Sequence, residues 1–492
     1  MKHIGIILAA GSGYRISESF NQPKCLIKIN NKEILDYQIE SFIFAGIKEI
    51  IIVTGFKSSK IIEHIKKFRS KIKIKTVFNS QYKSTNNMYS AHLGLAKILN
   101  SCLILCNGDV AVEKSFIKKL LKNKHQNLVM VDQFKKDAES MKVRLRNNII
   151  IDIDKKFENN KNNLTSADFY KLSSQSALML KNEIKNHIKF HGKKDWTEIA
   201  LKKIFKEKKF KPCFLKNLKW FEVDNYRDYI SANFLFKNHK KKIFKYYKTF
   251  IIDIDGTTFK KLNPILGTKE FLLKLKQNKK EIFFLSNNSS MSYENFKKLF
   301  KKVDFELKKK SMIISTDILI KFLKKNKIKK VFVVGNNNFK KELKKNELIL
   351  NSNEPEYVVV GYDDQLNYKK LQKACEFINK GIKLLATHDD NFYPSSCGPI
   401  PDAGSILSLI KKTTRVTPIR IFGKPSGEIK NIFNFKPKTL VIGDRLSKDI
   451  KFAKNCNYDS ILVLSGADGL TKNYDDNDLK PNYKISSIND LI

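Results

Sequence analysis

Residues Phe250 to Phe259 read FIIDIDGTTF, an apolar run that delivers two carboxylates, Asp253 and Asp255, to the end of one predicted strand. Ile254 lies between them and points to the opposite face, because side chains alternate along a strand. Two carboxylates so placed can divide the work on a phosphate ester. One stays ionised and attacks phosphorus, and the other carries a proton to the leaving oxygen. A metal ion between them removes their repulsion of the incoming anion.

A second candidate stands near the start of the chain. LAAGSGYRI follows the first predicted strand, with Gly11, Gly13 and the cation Arg15. A glycine-rich turn leaving a strand lets backbone N–H groups point at phosphate oxygens, and the missing Cβ atoms let the phosphate come close. The run lacks the third glycine of a dinucleotide fingerprint and the Gly-Lys-Ser/Thr end of a P-loop. QPKCLIKINNKEILDYQIE comes next and places Lys24 after a proline, ahead of a strand and an amphipathic helix.

Both candidates sit in an α/β pattern of short β-rich runs alternating with amphipathic stretches. In the first half, strands are expected at 4–9, 49–54, 73–78 and 102–106, with helices at 34–45, 59–67 and 87–99. In the second half, strands at 249–254, 281–286, 330–334, 358–361, 383–386 and 439–442 alternate with helices. The basic stretch FKNHKKKIFKYYK, Phe236 to Lys248, marks the junction. The expected domains are 1–238 and 248–492, joined by a linker or helix end at 239–247.

With the motifs in place, Leu8 to Arg15 and Pro23-Lys24 resemble the opening L-A-A-G-x-G-x-R and P-K of the sugar-phosphate and phospho-alcohol nucleotidyltransferases, a Rossmann-like fold. VFNSQYKSTNNMYSAHLGL is most similar to the phosphocholine cytidylyltransferase branch, and the resemblance covers about residues 1 to 235. It implies that Asp109, in LCNGDV, and Asp224, in WFEVDNYRDY, hold Mg2+, although each could instead cap a helix. It further implies that Arg15 and Lys24 hold the triphosphate of CTP, with Leu8, Ala9, Ala10, Gly11, Ser12 and Gly13 around it. Asn86 and Asn87 would face nucleotide or acceptor. Lys142 is a candidate for the incoming phosphate, with a solvated strand lysine as the alternative. Trp196 and Tyr170 lie where aromatic faces could hold a choline head group, or could simply be core.

The second half resembles the haloacid dehalogenase superfamily of aspartyl-phosphate phosphotransferases. Asp253 and Asp255 match its first motif, Ser286 with Asn287 and Asn288 the second, Lys424 in FGKPSG the third, and Asp444 with the supporting Asp449 in LVIGDRLSKDI the fourth. Asp253, Asp255 and Asp444 are thereby the expected Mg2+ ligands. The gap from Ser286 to Lys424 is too long for a loop, so an inserted α/β cap is expected at about 327–412. Its segments look like those of the 4-nitrophenylphosphatase and phosphoglycolate phosphatase subfamily, with His388-Asp389 in place of the usual Asn-Pro.

Composition bounds the rest. A chain of 492 residues with 42% apolar content supports two domains with separate cores. The formal net charge is +45, but only eight of the 94 basic residues are arginine and lysines are spread over the whole length, so a nucleic-acid partner is not expected. Seven scattered cysteines without metal-ligand spacing argue against a disulfide framework or zinc, in keeping with a cytoplasmic setting. IGIILAA is too short to span a bilayer, so no membrane insertion is expected. The resulting expectation is a bifunctional enzyme acting on small phosphorylated substrates, with a homo-oligomer as an open assembly state. It would transfer CMP from CTP to a phospho-alcohol such as phosphocholine or glycerol phosphate, and cleave a phosphate monoester of the same surface-polysaccharide pathway. The alternative is a sugar-1-phosphate nucleotidyltransferase joined to a phosphotransferase or an inactive docking domain.

Overall fold

The computed structural model describes all residues except 1, 14, 17–19, 134–139, 159, 161, 217, 396–397, 434 and 468–478. The chain forms two compact units, Met1–Lys237 and Asn238–Ile492.

In the first unit a mixed sheet runs Ile149–Asp154, Lys142–Arg146, Asn163–Leu172, Cys102–Asn107, His3–Ala9, Glu49–Thr54, Lys73–Phe78. His3–Ala9 lies parallel to both of its neighbours, and its residues Ile4 to Ala9 are buried. Burial on both faces explains the unbroken apolar run: strands covered by helices on each side need no polar alternation. One core packs Leu95, Leu180 and Leu201 of the helices against one face, and a second packs Leu35 and Phe42 against the other. The expected helix 87–99 ends at Leu95, because the N–H groups of Lys97 and Ile98 turn back to the carbonyls of Gly94 and Leu95.

In the second unit a parallel sheet runs Met312–Ile314, Glu281–Ser286, Thr249–Ile252, Thr439–Gly443, Asp459–Val463, Tyr483–Ile485. The expected strand 249–254 stops at Ile252. The carbonyl of Ile254 takes turn bonds from the N–H groups of Thr257, Thr258 and Phe259 instead of continuing the ladder. An inserted parallel sheet, Ile349–Leu350, Lys330–Val334, Tyr357–Val360, Lys383–Ala386, Arg420–Ile421, forms the cap with a core of its own. The expected linker is folded: His239–Tyr246 is a helix whose Ile243 is fully buried and whose Phe244 packs against Phe250 and Phe271.

Both central sheets end their middle strands on one edge, the position where open α/β sheets collect ligands. His3–Ala9 and Cys102–Asn107 lead into the glycine-rich turn and Asp109, while Thr249–Ile252, Glu281–Ser286 and Thr439–Gly443 lead into Asp253, Ser286 and Asp444.

Candidate active sites

The first cavity, of about 280 Å³, is lined by Leu8, Ala9, Ala10, Gly11, Gly13, Arg15 and Lys24 on one side. Gly13 has φ +59°, and a Cβ there would meet Lys24 Cβ at 2.9 Å, so the turn and the lysine stem require a glycine. Ser12 does not line the cavity. Lys24 Nζ donates to Asp109 Oδ2 at 2.7 Å and to Asp224 Oδ1 at 2.5 Å, and Arg15 Nη2 lies 3.2 Å from Asp224 Oδ2. Burial alone would lower the Lys24 pKa, but the two carboxylates overcome it and hold the ammonium above its ordinary value.

Glu222, missed in the sequence reading, completes a cluster with Asp109 and Asp224 whose ligand atoms lie within 4.8 Å of one another. Its signal was available, since alternation along Trp220–Glu222 carries Glu222 and Asp224 to the same side of WFEVDNYRDY. Burial, then the neighbouring carboxylates, push Glu222 well above the usual carboxylate range. Asp109 Oδ1 is buried with no hydrogen-bond partner. An oxygen-only donor set with an orphaned buried carboxylate oxygen and a cation already shared by two of its members fits a hard divalent ion.

Asp168, Glu198 and Trp196 also line the cavity, the last half-exposed. Tyr170 is buried behind them, with its hydroxyl 3.1 Å from both Asp168 Oδ1 and Glu198 Oε1. A phenol carries one proton, so the second contact needs the proton of a carboxylic acid. Burial, reinforced by neighbouring carboxylates, pushes Asp168 up to about 6 and Glu198 up to about 7. Glu198 Oε2 is buried without a partner. Asp168 and Glu198 stand alone in otherwise unremarkable segments, and no local motif announces them.

Asn86 and Asn87 line the same cavity, but also carry structural bonds. Asn86 Oδ1 caps its helix by accepting from Asn87 N at 2.8 Å, and Asn87 Oδ1 accepts from Thr197 N at 2.9 Å. Lys142 departs from its expected place. Its Nζ donates to the Ser140 and Lys155 carbonyls at 3.0 Å, and Lys155 rather than Lys142 lines the cavity. Its strand, Lys142–Arg146, is paired on both sides, by Ile149–Asp154 and Asn163–Leu172, and holds the lysine inward, 2% exposed, against those carbonyls.

The second cavity is small, about 50 Å³, and collects Asp253, Asp255, Ser286, Asn287, Asn288, Lys424, Asp444 and Asp449 from segments nearly 200 residues apart. Lys424 Nζ bridges Asp253 Oδ1 at 2.5 Å and Asp449 Oδ1 at 2.6 Å. Thr257 Oγ1 donates to the other Asp253 oxygen at 3.1 Å, and Asn288 Nδ2 lies 3.4 Å from Asp255 Oδ2. Asp253, Asp444 and Asp449 form the cluster with metal-ligating spacing; Asp255 is outside it, turned instead to Asn288. Gly256, at φ +90°, leaves room for this set, since a Cβ there would meet Asp444 Oδ2 at 2.4 Å. Burial pushes Asp253 up to about 7 and raises Asp255 and Asp444 as well. Three mutually close, buried carboxylates with only one ammonium among them fit a divalent cation.

The cap adds Asp390, Tyr393 and Asp402 to the lining, and the core adds Arg445 and Lys448. None was singled out from sequence. Arg445 Nη1 donates to Asp390 Oδ1 at 2.9 Å, Asn287 Nδ2 to Asp390 Oδ2 at 2.9 Å, and Lys448 pairs with Asp389.

Comparison with known proteins agrees with this division. The family described as MobA-like NTP transferase domain matches residues 5–152. Haloacid dehalogenase-like hydrolase matches 250–349, and a second HAD-hydrolase-like family matches 421–491. A 5'-nucleotidase of Bacillus subtilis is 27% identical over 254 residues, which is 50% of this chain and 98% of that protein. An acid sugar phosphatase of Staphylococcus aureus is 26% identical over 255 residues, again 50% of this chain and 98% of the relative. Among solved structures, a 4-nitrophenylphosphatase from Thermotoga maritima shares 31% identity over 51% of this chain and 97% of its own, with a TM-score of 0.47. No described helix is long and apolar enough to cross a membrane. The chain thus joins an N-terminal MobA-like NTP transferase domain to a C-terminal haloacid dehalogenase-like hydrolase domain.

Proposed function

We propose that the first unit transfers CMP from CTP to a small phospho-alcohol, releasing pyrophosphate, and that the second hydrolyses a phosphate monoester of the same pathway. The observation that carries the first reading is an acidic cavity in a basic protein: five carboxylates face three cations there, while the chain as a whole is +45. The glycine-rich turn, Arg15 and Lys24 supply N–H groups and positive charge for a triphosphate. Asp109, Glu222 and Asp224 would hold Mg2+, which neutralises charge developing at the α-phosphorus. The acceptor phosphate oxygen attacks that phosphorus and the bond to pyrophosphate breaks, so no external acid is required.

The Asp168 and Glu198 pair favours an acceptor with a cationic head. An ammonium or trimethylammonium group beneath Trp196 would ionise the carboxylates that burial now keeps partly protonated, and would gain cation-π attraction. Phosphocholine is the acceptor that combines both features. CTP rests on the resemblance of the Asn86-Asn87 segment to the cytidylyltransferase branch. A screen of four nucleoside triphosphates against phosphocholine, glycerol phosphate and a sugar 1-phosphate, read as pyrophosphate, tests the reading. Preference for a sugar 1-phosphate would overturn it.

In the second unit Asp253 would attack phosphorus while the alcohol leaves with the proton of Asp255. Water then cleaves the aspartyl-phosphate, Asp255 takes a proton from it, and inorganic phosphate departs. Ser286 and Lys424 would hold the phosphoryl oxygens. Asp253, Asp444 and Asp449 would hold Mg2+, which offsets repulsion between carboxylates and substrate. Magnesium-dependent phosphate release from small monoesters is the expected result, and its absence would leave the second unit without this role.

A further inference from the structure

The hydrolase cavity contains two carboxylates, Asp390 and Asp402, that the phosphoryl chemistry does not use. Asp402 lines it from the cap and is 6% exposed. Its Oδ1 accepts from His388 Nε2 at 2.9 Å and from Ala403 N at 2.6 Å. His388 is itself 1% exposed, and its Nδ1 lies 2.9 Å from Thr387 Oγ1, so the ring is fixed from both sides. Both bonds to Asp402 fall on Oδ1, which leaves Oδ2 for the cavity.

The other charged cap residue in the lining is committed elsewhere. Asp390 is held by Arg445, Asn287 and Lys448. Lys424 is shared between Asp253 and Asp449. Asp402, Asp255 and Tyr393 line the same cavity, which places the three around one space. The leaving oxygen must lie beside Asp255, which protonates it, so the remainder of the alcohol extends toward Asp402 and Tyr393. The cavity itself is small, about 50 Å³, and shares Asp390, Arg445 and Lys448 with a neighbouring one of about 560 Å³.

We propose that Asp402, positioned by His388, selects the leaving group: Oδ2 accepts a hydrogen bond from an ammonium or hydroxyl on the small alcohol and rejects alcohols that carry a carboxylate. This rests on the reading of the second unit as a phosphatase and adds the substrate class. A carboxylate facing a carboxylate in a small buried cavity is repelled, whereas a donor gains a charge-assisted bond.

The test compares kcat/KM of the full chain for phosphoethanolamine, glycerol phosphate and phosphoglycolate. The native protein is expected to favour the first two over phosphoglycolate by about tenfold or more, the scale of one hydrogen bond to a charged group. Asp402→Asn and His388→Gln should each shrink that ratio by about tenfold. A ratio measured on one preparation is independent of the folded fraction, so lost stability cannot mimic the result. Native preference for phosphoglycolate overturns the proposal, as does an undiminished ratio in both variants. If the variants are inactive, the native ranking decides. Native protein that cleaves none of the three, nor 4-nitrophenyl phosphate, contradicts the phosphatase reading itself, a different outcome from a reversed ranking.

Discussion

The two cavities solve one electrostatic problem with different amounts of space. Each gathers carboxylates around a lysine, Lys24 with Asp109 and Asp224, Lys424 with Asp253 and Asp449. The first has about 280 Å³ and the second about 50 Å³. A nucleotide and an acceptor need the larger volume, and partial exposure there leaves Asp224 below its ordinary value: burial would raise it, but Lys24 and Arg15 prevail. At Asp253 in the smaller cavity burial wins, and the carboxyl is pushed up to about 7. The balance is struck carboxylate by carboxylate in both cavities, between burial and the cations each one faces, and it sets which of them stand ionised before any substrate arrives.

The sharpest way to separate the two centres is Asp253→Asn. It removes the proposed nucleophile, and phosphate release should fall by at least about 10⁴-fold, while pyrophosphate release in the same sample reports that the chain has folded. Retained phosphate release would break the assignment. Asp109→Ala should do the converse, lowering pyrophosphate formation by about 10³-fold without touching phosphate release. Glu222→Gln keeps the shape but loses a charge; about 10- to 100-fold weaker Mg2+ activation is expected, read from the Mg2+ dependence of turnover. An unchanged dependence would take Glu222 out of the metal site. Trp196→Ala should raise KM for a trimethylammonium acceptor by roughly 3- to 30-fold, the worth of a cation-π contact, with a smaller change for glycerol phosphate.

The smallest effect concerns pH. Asp253 has its folded pKa raised from 3.8 to about 7, so the stability linked to its protonated form is complete below about 3.8 and lost as pH rises through about 7. Mg2+ binds the ionised form, so it should raise the melting temperature of the protein by a few degrees more at pH 8 than at pH 5. Equal shifts at both pH values would mean that this carboxylate does not change its charge between them.

What could be read from sequence was what is contiguous. A strand followed by LAAGSG or DIDGTT places phosphate-binding groups within a few residues of each other, and the alternating pattern locates the sheets that carry them. Asp168, Glu198 and Asp402 each stand alone in their segments, Asp390 follows His388-Asp389 with no pattern to single it out, and all four acquire meaning only when folding brings distant segments to one cavity. Lys142 shows the converse. A cation near an expected anion site invites a functional role, but its strand turns it toward the Ser140 and Lys155 carbonyls. The end of the first strand of the second unit was misplaced by two residues for a related reason: the turn bonds to Ile254 are set by threonine and phenylalanine N–H groups that no apolar pattern records.

The ammonium of Lys24 between Asp109 and Asp224 has a bearing on how the transferase rests between turnovers. Because the lysine is covalently tethered, it acts as a resident counter-ion that costs no translational entropy to recruit. The acid pair is therefore kept close without mutual repulsion when nothing is bound. Loading a metal ion there would be an exchange of one cation for another, and the displaced amine would be left within reach of an arriving polyphosphate.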